Sequence, residues 1–254
     1  MPDLSRRSLL LTGGAAALGA GFLAAAPSSP AVAASSPLAA PSSPAVAPSL
    51  PLAASSSPVV GPGEAVARLI AGNRRFITGR ARHPHQSLKD LHDLAAGQHP
   101  FAITVGCADS RVSPEVLFDQ GLGDIFDNRV AGNIVDDLLL GSIEFAVEEF
   151  GSPLIVILGH ERCGAINATI NAIETGGEAP GHIGVIVEAL RPIIEPVLSR
   201  PGDKTENAVR ANIHAQAAEL VTRSEVIAEH IAAGELRIVG ARYDLDDGRV
   251  TLVP

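Results

Sequence analysis

From residue 64 onward, apolar and polar positions follow two alternating periods. Val66, Leu69, Ile70, Phe76 and Ile77 recur on one face of a helix expected over 64–79. Residues 101–106, Phe-Ala-Ile-Thr-Val-Gly, form a short apolar, β-branched run and read as a buried strand. Ser113-Pro114 opens a further helix, with Ser as the cap and Pro at the first helical position. A strand is expected over 124–130, then a helix from Asp136/Asp137 to Phe150, stopped by Gly151. Leu154 to Leu158 predicts a second fully apolar strand that Gly159 ends. Helices are expected over 163–175, 183–199 and 205–233; Pro192 and Pro196 kink or break the middle one. Leu236–Ala241 and Val250–Val253 read as closing strands. This alternation predicts an α/β fold, a mainly parallel central sheet flanked by helices.

Residues 1–60 follow neither period and hold only three charges, Asp3, Arg6 and Arg7. Ser5-Arg6-Arg7-Ser8 precedes an apolar stretch from Leu9 to Ala26, which reads as a twin-arginine signal over 1–33, cleaved after Ala31-Val32-Ala33. The rival reading is an uncleaved membrane anchor. Ala-Pro-Ser-Ser-Pro-Ala-Val-Ala occurs at 26–33 and again at 40–47, and residues 34–62 read as a disordered Ala/Pro/Ser linker. The folded domain is then expected over 63–254, exported to the periplasm, the cell surface or the medium.

Composition narrows the function. The formal charge is −9, so the basic face that nucleic acid requires is missing. Aromatics are 3% with no Trp, which argues against stacking platforms for bases. Two cysteines are too few for a disulfide-stapled fold.

Those two cysteines carry the chemistry. Cys107 opens Cys107-Ala108-Asp109-Ser110-Arg111 just past one predicted strand, and His160-Glu161-Arg162-Cys163-Gly164 follows another. In open α/β sheets ligands collect beyond the carboxyl ends of the strands, so two thiols and an imidazole can converge there. Two soft thiolates and one imidazole suit zinc, and three protein ligands leave a fourth position open. Asp109 either takes that fourth position and closes the site, or pairs with Arg111 and orients a zinc-bound water. The plainer readings are a Cys107–Cys163 disulfide, two unrelated buried thiols, and a merely structural Asp109–Arg111 bridge. His83, His85, His92 and His99 read as surface histidines, available at most for passing protons to buffer.

Taken together these segments resemble a β-class carbonic anhydrase over about residues 64–254. The matches are Cys107-x-Asp109-Ser110-Arg111 and His160-x-x-Cys163-Gly164, supported by Arg129 with Ala131-Gly132-Asn133, by Ser142-Ile143-Glu144-Phe145-Ala146 and by Val239-Gly240-Ala241-Arg242-Tyr243-Asp244. The resemblance implies zinc on Cys107, His160 and Cys163, with Asp109 and Arg111 as a catalytic dyad. It implies reversible hydration of CO2 to bicarbonate and a proton by zinc-bound hydroxide, in a homodimer or dimer of dimers with sites near the subunit interface. It also implies a substrate pocket of Gln98, Phe126, Ala131, Phe145 and the Gly164 amide. Two departures touch the pocket: Val130 stands where the family often has Asn, and Phe145 where Tyr is common. The competing expectations are a hydrolase of carbonyl sulfide or carbon disulfide, a non-catalytic zinc or redox module, and a structural domain whose zinc Asp109 closes.

Overall fold

The computed structural model describes residues 60–254. The expected signal and nearly all of the expected linker lie outside the described residues. In chain order the elements are α1 (Pro62–Ile77), α2 (Leu88–Leu94), β1 (Ala102–Gly106), α3 (Pro114–Leu117) and β2 (Ile125–Arg129). Next come α4 (Asp137–Phe150), β3 (Leu154–His160), α5 (Gly164–Thr175) and α6 (Ile183–Ile194), the last running into a 3-10 turn at Glu195–Val197. The chain closes with α7 (Lys204–Arg223), α8 (Glu225–Ala232), β4 (Arg237–Tyr243) and β5 (Val250–Val253).

The five strands form one sheet in the order β2-β1-β3-β4-β5. The first four are parallel and β5 returns antiparallel to β4. Because side chains alternate along a strand, each buries two sets. Ile103, Val105, Ile155 and Ile157 face one core with Ile143 of α4, Ile166 of α5, Leu190 of α6 and Ile213 of α7. Ala102, Leu154, Val156 and Leu158 face the other, with Leu69 of α1, Leu117 of α3 and Phe118. A sheet covered on both faces explains why β1 and β3 read as continuous apolar runs.

The chain leaves β1 towards β2 on one side, then crosses to β3 on the other. Strand order therefore reverses at β1, and a crevice opens beyond the carboxyl ends of β1 and β3. α7 lies tightly over that region because two strand positions lack side chains. A Cβ at Gly159 or at Gly240 would stand 2.6 Å from the Ile213 side chain.

Several boundaries differ from expectation, each for a local reason. β3 does not stop at Gly159 but continues through His160, since Gly159 stays in the ladder opposite Arg242. The expected helix over 205–233 is two helices, α7 and α8. Ser224 adopts extended backbone between them, and its hydroxyl accepts from the Ile227 N–H. Ser113 precedes α3, but its side chain does not cap it. Cys163 is the cap residue of α5 and lies outside the helix proper. Pro192 sits within α6, and Pro196 within the 3-10 turn. α2 was not expected from periodicity: it buries no residue, and a capping box of Ser87 with Asp90 starts it.

Candidate metal centre

Three local devices bring the candidate ligands together. Cys107 follows β1 directly, His160 is the last residue of β3, and Cys163 caps α5. The ligand atoms of Cys107, His160 and Cys163 all lie within 4.8 Å of one another, and all three side chains are buried. The sulfurs stand 3.9 Å apart and are not bonded.

His160 is 1% exposed. Its Nδ1 lies 2.9 Å from the Glu161 carbonyl, which can only accept, so Nδ1 carries the proton. Nε2, the other ring nitrogen, is buried and without a hydrogen-bond partner. Glu161 is held in turn: its amide donates to the Tyr243 carbonyl and its carboxylate accepts from the Leu245 amide. Arg162 adopts a left-handed φ of 51° and pairs with Asp246 at 2.7 Å. The His160–Cys163 segment is thus fastened to the turn between β4 and β5.

The thiols share a proton unequally. Cys107 is lowered to about 4: the Cys163 thiol donates to it, burial opposes, and His160 and the amides of Gly132 and Asp109 add support. Cys163 is pushed up, first by donating to Cys107, then by burial and by the adjacent negative charge. The Ile166 and Ala165 amides at the start of α5 work the other way. Gly132 donates its amide to the Cys107 sulfur at 3.4 Å.

Asp109 faces Arg111 through two parallel hydrogen bonds, from Nε to Oδ1 at 2.9 Å and from Nη2 to Oδ2 at 2.7 Å. The Arg111 amide adds a third at 3.0 Å. The guanidinium holds the Asp109 carboxyl well below the ordinary carboxylate range, with burial opposing. Of its two expected partners, Asp109 is paired with Arg111.

This donor set fits zinc. Two sulfurs on a tetrahedral ion at 2.3 Å stand about 3.8 Å apart, against 3.9 Å here. The orphaned His160 Nε2 is an atom that a cation satisfies. A second acidic group, Glu161 with Asp244 and Asp246, is already paired with Arg162 and Arg242.

The expected pocket residues are more scattered. Gly164 begins α5 beside Cys163, and Ala131 is half-buried in the loop that carries Gly132. Gln98 is half-buried in the segment before β1. Phe126 pairs in register with Ile103, three residues short of the strand end, so it lies about 10 Å back along the sheet from that end. Phe145 packs on it at 6.4 Å between ring centroids, and both pack on Phe150.

Sequence reasoning gave Arg129 no task, yet it braces the centre. Its Nε donates to the Cys107 carbonyl at 3.0 Å and its Nη2 to the Asp109 carbonyl at 2.7 Å. Its place before Ala131-Gly132-Asn133 was the available signal.

Fold and site together define an α/β protein with a buried thiolate–imidazole centre at the mouth of a parallel sheet. Residues 102–250 match the carbonic anhydrase family. Over 183 residues the chain is 47% identical to carbonic anhydrase 2 of Mycobacterium tuberculosis, covering 71% of this chain and 87% of that protein. It is 44% identical to the carbonic anhydrase of Mycolicibacterium smegmatis, covering 71% and 88%. The solved tetrameric β-carbonic anhydrases of the ascomycete Sordaria macrospora include a match at TM-score 0.59 and 25% identity, covering 74% of this chain and 96% of that one. The chain belongs to the β-carbonic anhydrase family, and is a carbonic anhydrase.

Proposed function

We propose that the chain hydrates CO2 reversibly to bicarbonate and a proton, with zinc held by Cys107, His160 and Cys163. The observation that carries this reading is the unpartnered Nε2 of buried His160 beside two sulfurs 3.9 Å apart. Zinc there supplies Lewis acidity that makes hydroxide available near neutral pH. Asp109 stays anionic, accepts a hydrogen bond from the attacking oxygen and so turns its lone pair towards CO2. Arg111 holds Asp109 in that orientation by its two-point contact. The Gly164 amide, at the positive end of α5, stabilises charge that develops on the substrate oxygens. Nothing lies within 4 Å of where a Gly164 side chain would project, which leaves space there for a small molecule. Ala131 and Gln98 complete the pocket, and the released proton passes to buffer.

The active unit in this reading is a homodimer or dimer of dimers, with Phe126 and Phe145 on the face shared with a second copy. Export by a twin-arginine signal is consistent with a thiolate site, because that route carries folded, already loaded protein.

The test is zinc content and CO2 hydration measured together on the purified protein from pH 6.5 to 9. One zinc per chain, with hydration rising as pH rises, is expected. Zinc without hydration overturns the substrate and makes carbonyl sulfide the next assay. Metal-free protein with oxidised cysteines overturns the zinc reading itself.

A further inference from the structure

α7 buries two amides, Asn212 and Gln216, one helical turn apart; they are 1% and 3% exposed. Their neighbours on the helix, Val209, Ile213 and Leu220, belong to the apolar core. Buried amides in such a setting destabilise unless their polar atoms are paired, so where the hydrogen bonds go is informative. Asn212 Nδ2 donates to the Gly132 carbonyl at 2.9 Å and to Asn133 Oδ1 at 3.1 Å. Gln216 Nε2 donates to Asn212 Oδ1 at 3.0 Å, and Gln216 Oε1 accepts from the Val135 amide at 2.8 Å. Apart from the link between the two amides, every bond ends on residues 132–135.

That loop needs holding. Gly132 and Asn133 adopt left-handed φ of 80° and 44° in succession, and Asn133 has a side chain to strain there. A Cβ at Gly132 would stand 3.0 Å from Leu190 and 3.2 Å from Ala165, so the loop is wedged between α5 and α6. While its carbonyl accepts from Asn212, the Gly132 amide reaches the Cys107 sulfur.

We propose that Asn212 and Gln216 are positioning residues for the metal centre, fixing the 132–135 loop from behind so that Gly132 keeps its hydrogen bond on the Cys107 sulfur. The proposal rests on the zinc reading of Cys107, His160 and Cys163. A hydrogen bond to a ligating sulfur draws charge from it and fixes its direction, so the amides act on metal affinity through the loop.

The test uses the full chain with Asn212→Leu and Gln216→Met, and Ile213→Val as a control. Ile213 lies between the two amides on α7, packs on Gly159 and Gly240 of the sheet, and has no polar atom to hold the 132–135 loop. Zinc affinity is read by competition with a chromophoric chelator. The sulfur-to-metal charge-transfer band is read after cobalt(II) loading. Asn212→Leu is expected to weaken zinc by about 10- to 100-fold, and to move the cobalt band to longer wavelength as the sulfur regains charge. Gln216→Met removes the link to Asn212 and the bond from the Val135 amide, both farther from Gly132 than the Asn212 bonds, and shifts both readouts less, in the same direction; it also serves if Asn212→Leu does not fold. Ile213→Val lowers Tm and leaves both readouts unchanged. Folded Gln216→Met or Asn212→Leu protein with wild-type zinc affinity and an unmoved band overturns the positioning role. Wild-type protein that takes neither zinc nor cobalt overturns the metal reading instead, and the two failures are distinct.

Discussion

Arg111 acts on Asp109 in two separable ways, through charge and through shape. Its charge keeps the carboxyl ionised, and its planar fork fixes the carboxylate in direction. Arg111→Lys retains the charge and loses the fork. We expect kcat/KM for CO2 hydration to fall by about 10- to 100-fold, with zinc content unchanged, by stopped-flow assay and metal analysis. The pH profile should drop without bending. Arg111 depresses the folded Asp109 pKa, so the pair's contribution is complete above about pH 4, the ordinary range of a free Asp. It is lost only as pH falls through the lowered value, well outside an assay from pH 6.5 to 9. A wild-type rate in the variant would refute the dyad. At this scale the short-range part of the site was legible, because Cys107, Asp109 and Arg111 share one segment and His160 and Cys163 another. The long-range part was not. Arg129 reaches back 20 residues to Asp109, and Asn212 reaches 80 to Gly132. In a single sequence they are only polar residues, and the two amides even interrupt the apolar face of α7.

Elements were legible where burial imposes a period and obscure where it does not. β1 and β3 bury both faces, so their apolar runs stand out. α2 buries nothing, so its only mark is the capping box at Ser87. The α7–α8 break was hidden because Ser224 ends one helix and caps the next without a Gly or Pro. α8 is also tied sideways. His230 sits between Glu148 of α4, at 3.1 Å, and Glu235, at 2.9 Å. The Glu148 contact raises the His230 pKa most, burial opposes it, and Glu235 adds to the rise. The sign follows: stabilisation is full below the unfolded value, about 6.5, and is lost as pH rises through the raised folded value. Both carboxylates are largely exposed, so solvent screening keeps the effect small. His230→Gln should lower Tm by about 1–2 °C at pH 5.5, and the gap should close at pH 9. Thermal melts at the two pH values check this, and an equal gap at both would refute the ion-pair staple.

Across the whole molecule, the sheet has two unlike edges. β5 returns antiparallel on one side, while on the other, among the described residues, no strand pairs with the outer edge of β2. α3 and α4 pack on β2. Around this edge the apolar surface is conspicuous: Leu138 is 86% exposed, Val116 56% and Phe145 51%. A strand edge flanked by exposed apolar side chains favours association, and a second copy of a chain at −9 would have to meet it without relying on opposite net charge. Apolar contact is the term available, and the aromatic cluster of Phe126, Phe145 and Phe150 supplies it. The sequence marked Phe126 and Phe145 through family resemblance as pocket residues, yet its periodicity could not show that they stand at an edge, since strand order is a property of the assembled sheet. Leu138→Glu with Phe145→Glu places two more negative charges on each copy of that face. Sedimentation velocity should find the wild type at twice the chain mass or more, and the double variant at one chain mass with a circular dichroism spectrum unchanged. A wild type that sediments as a single chain, or a double variant that stays associated, would remove β2 and α4 from the interface.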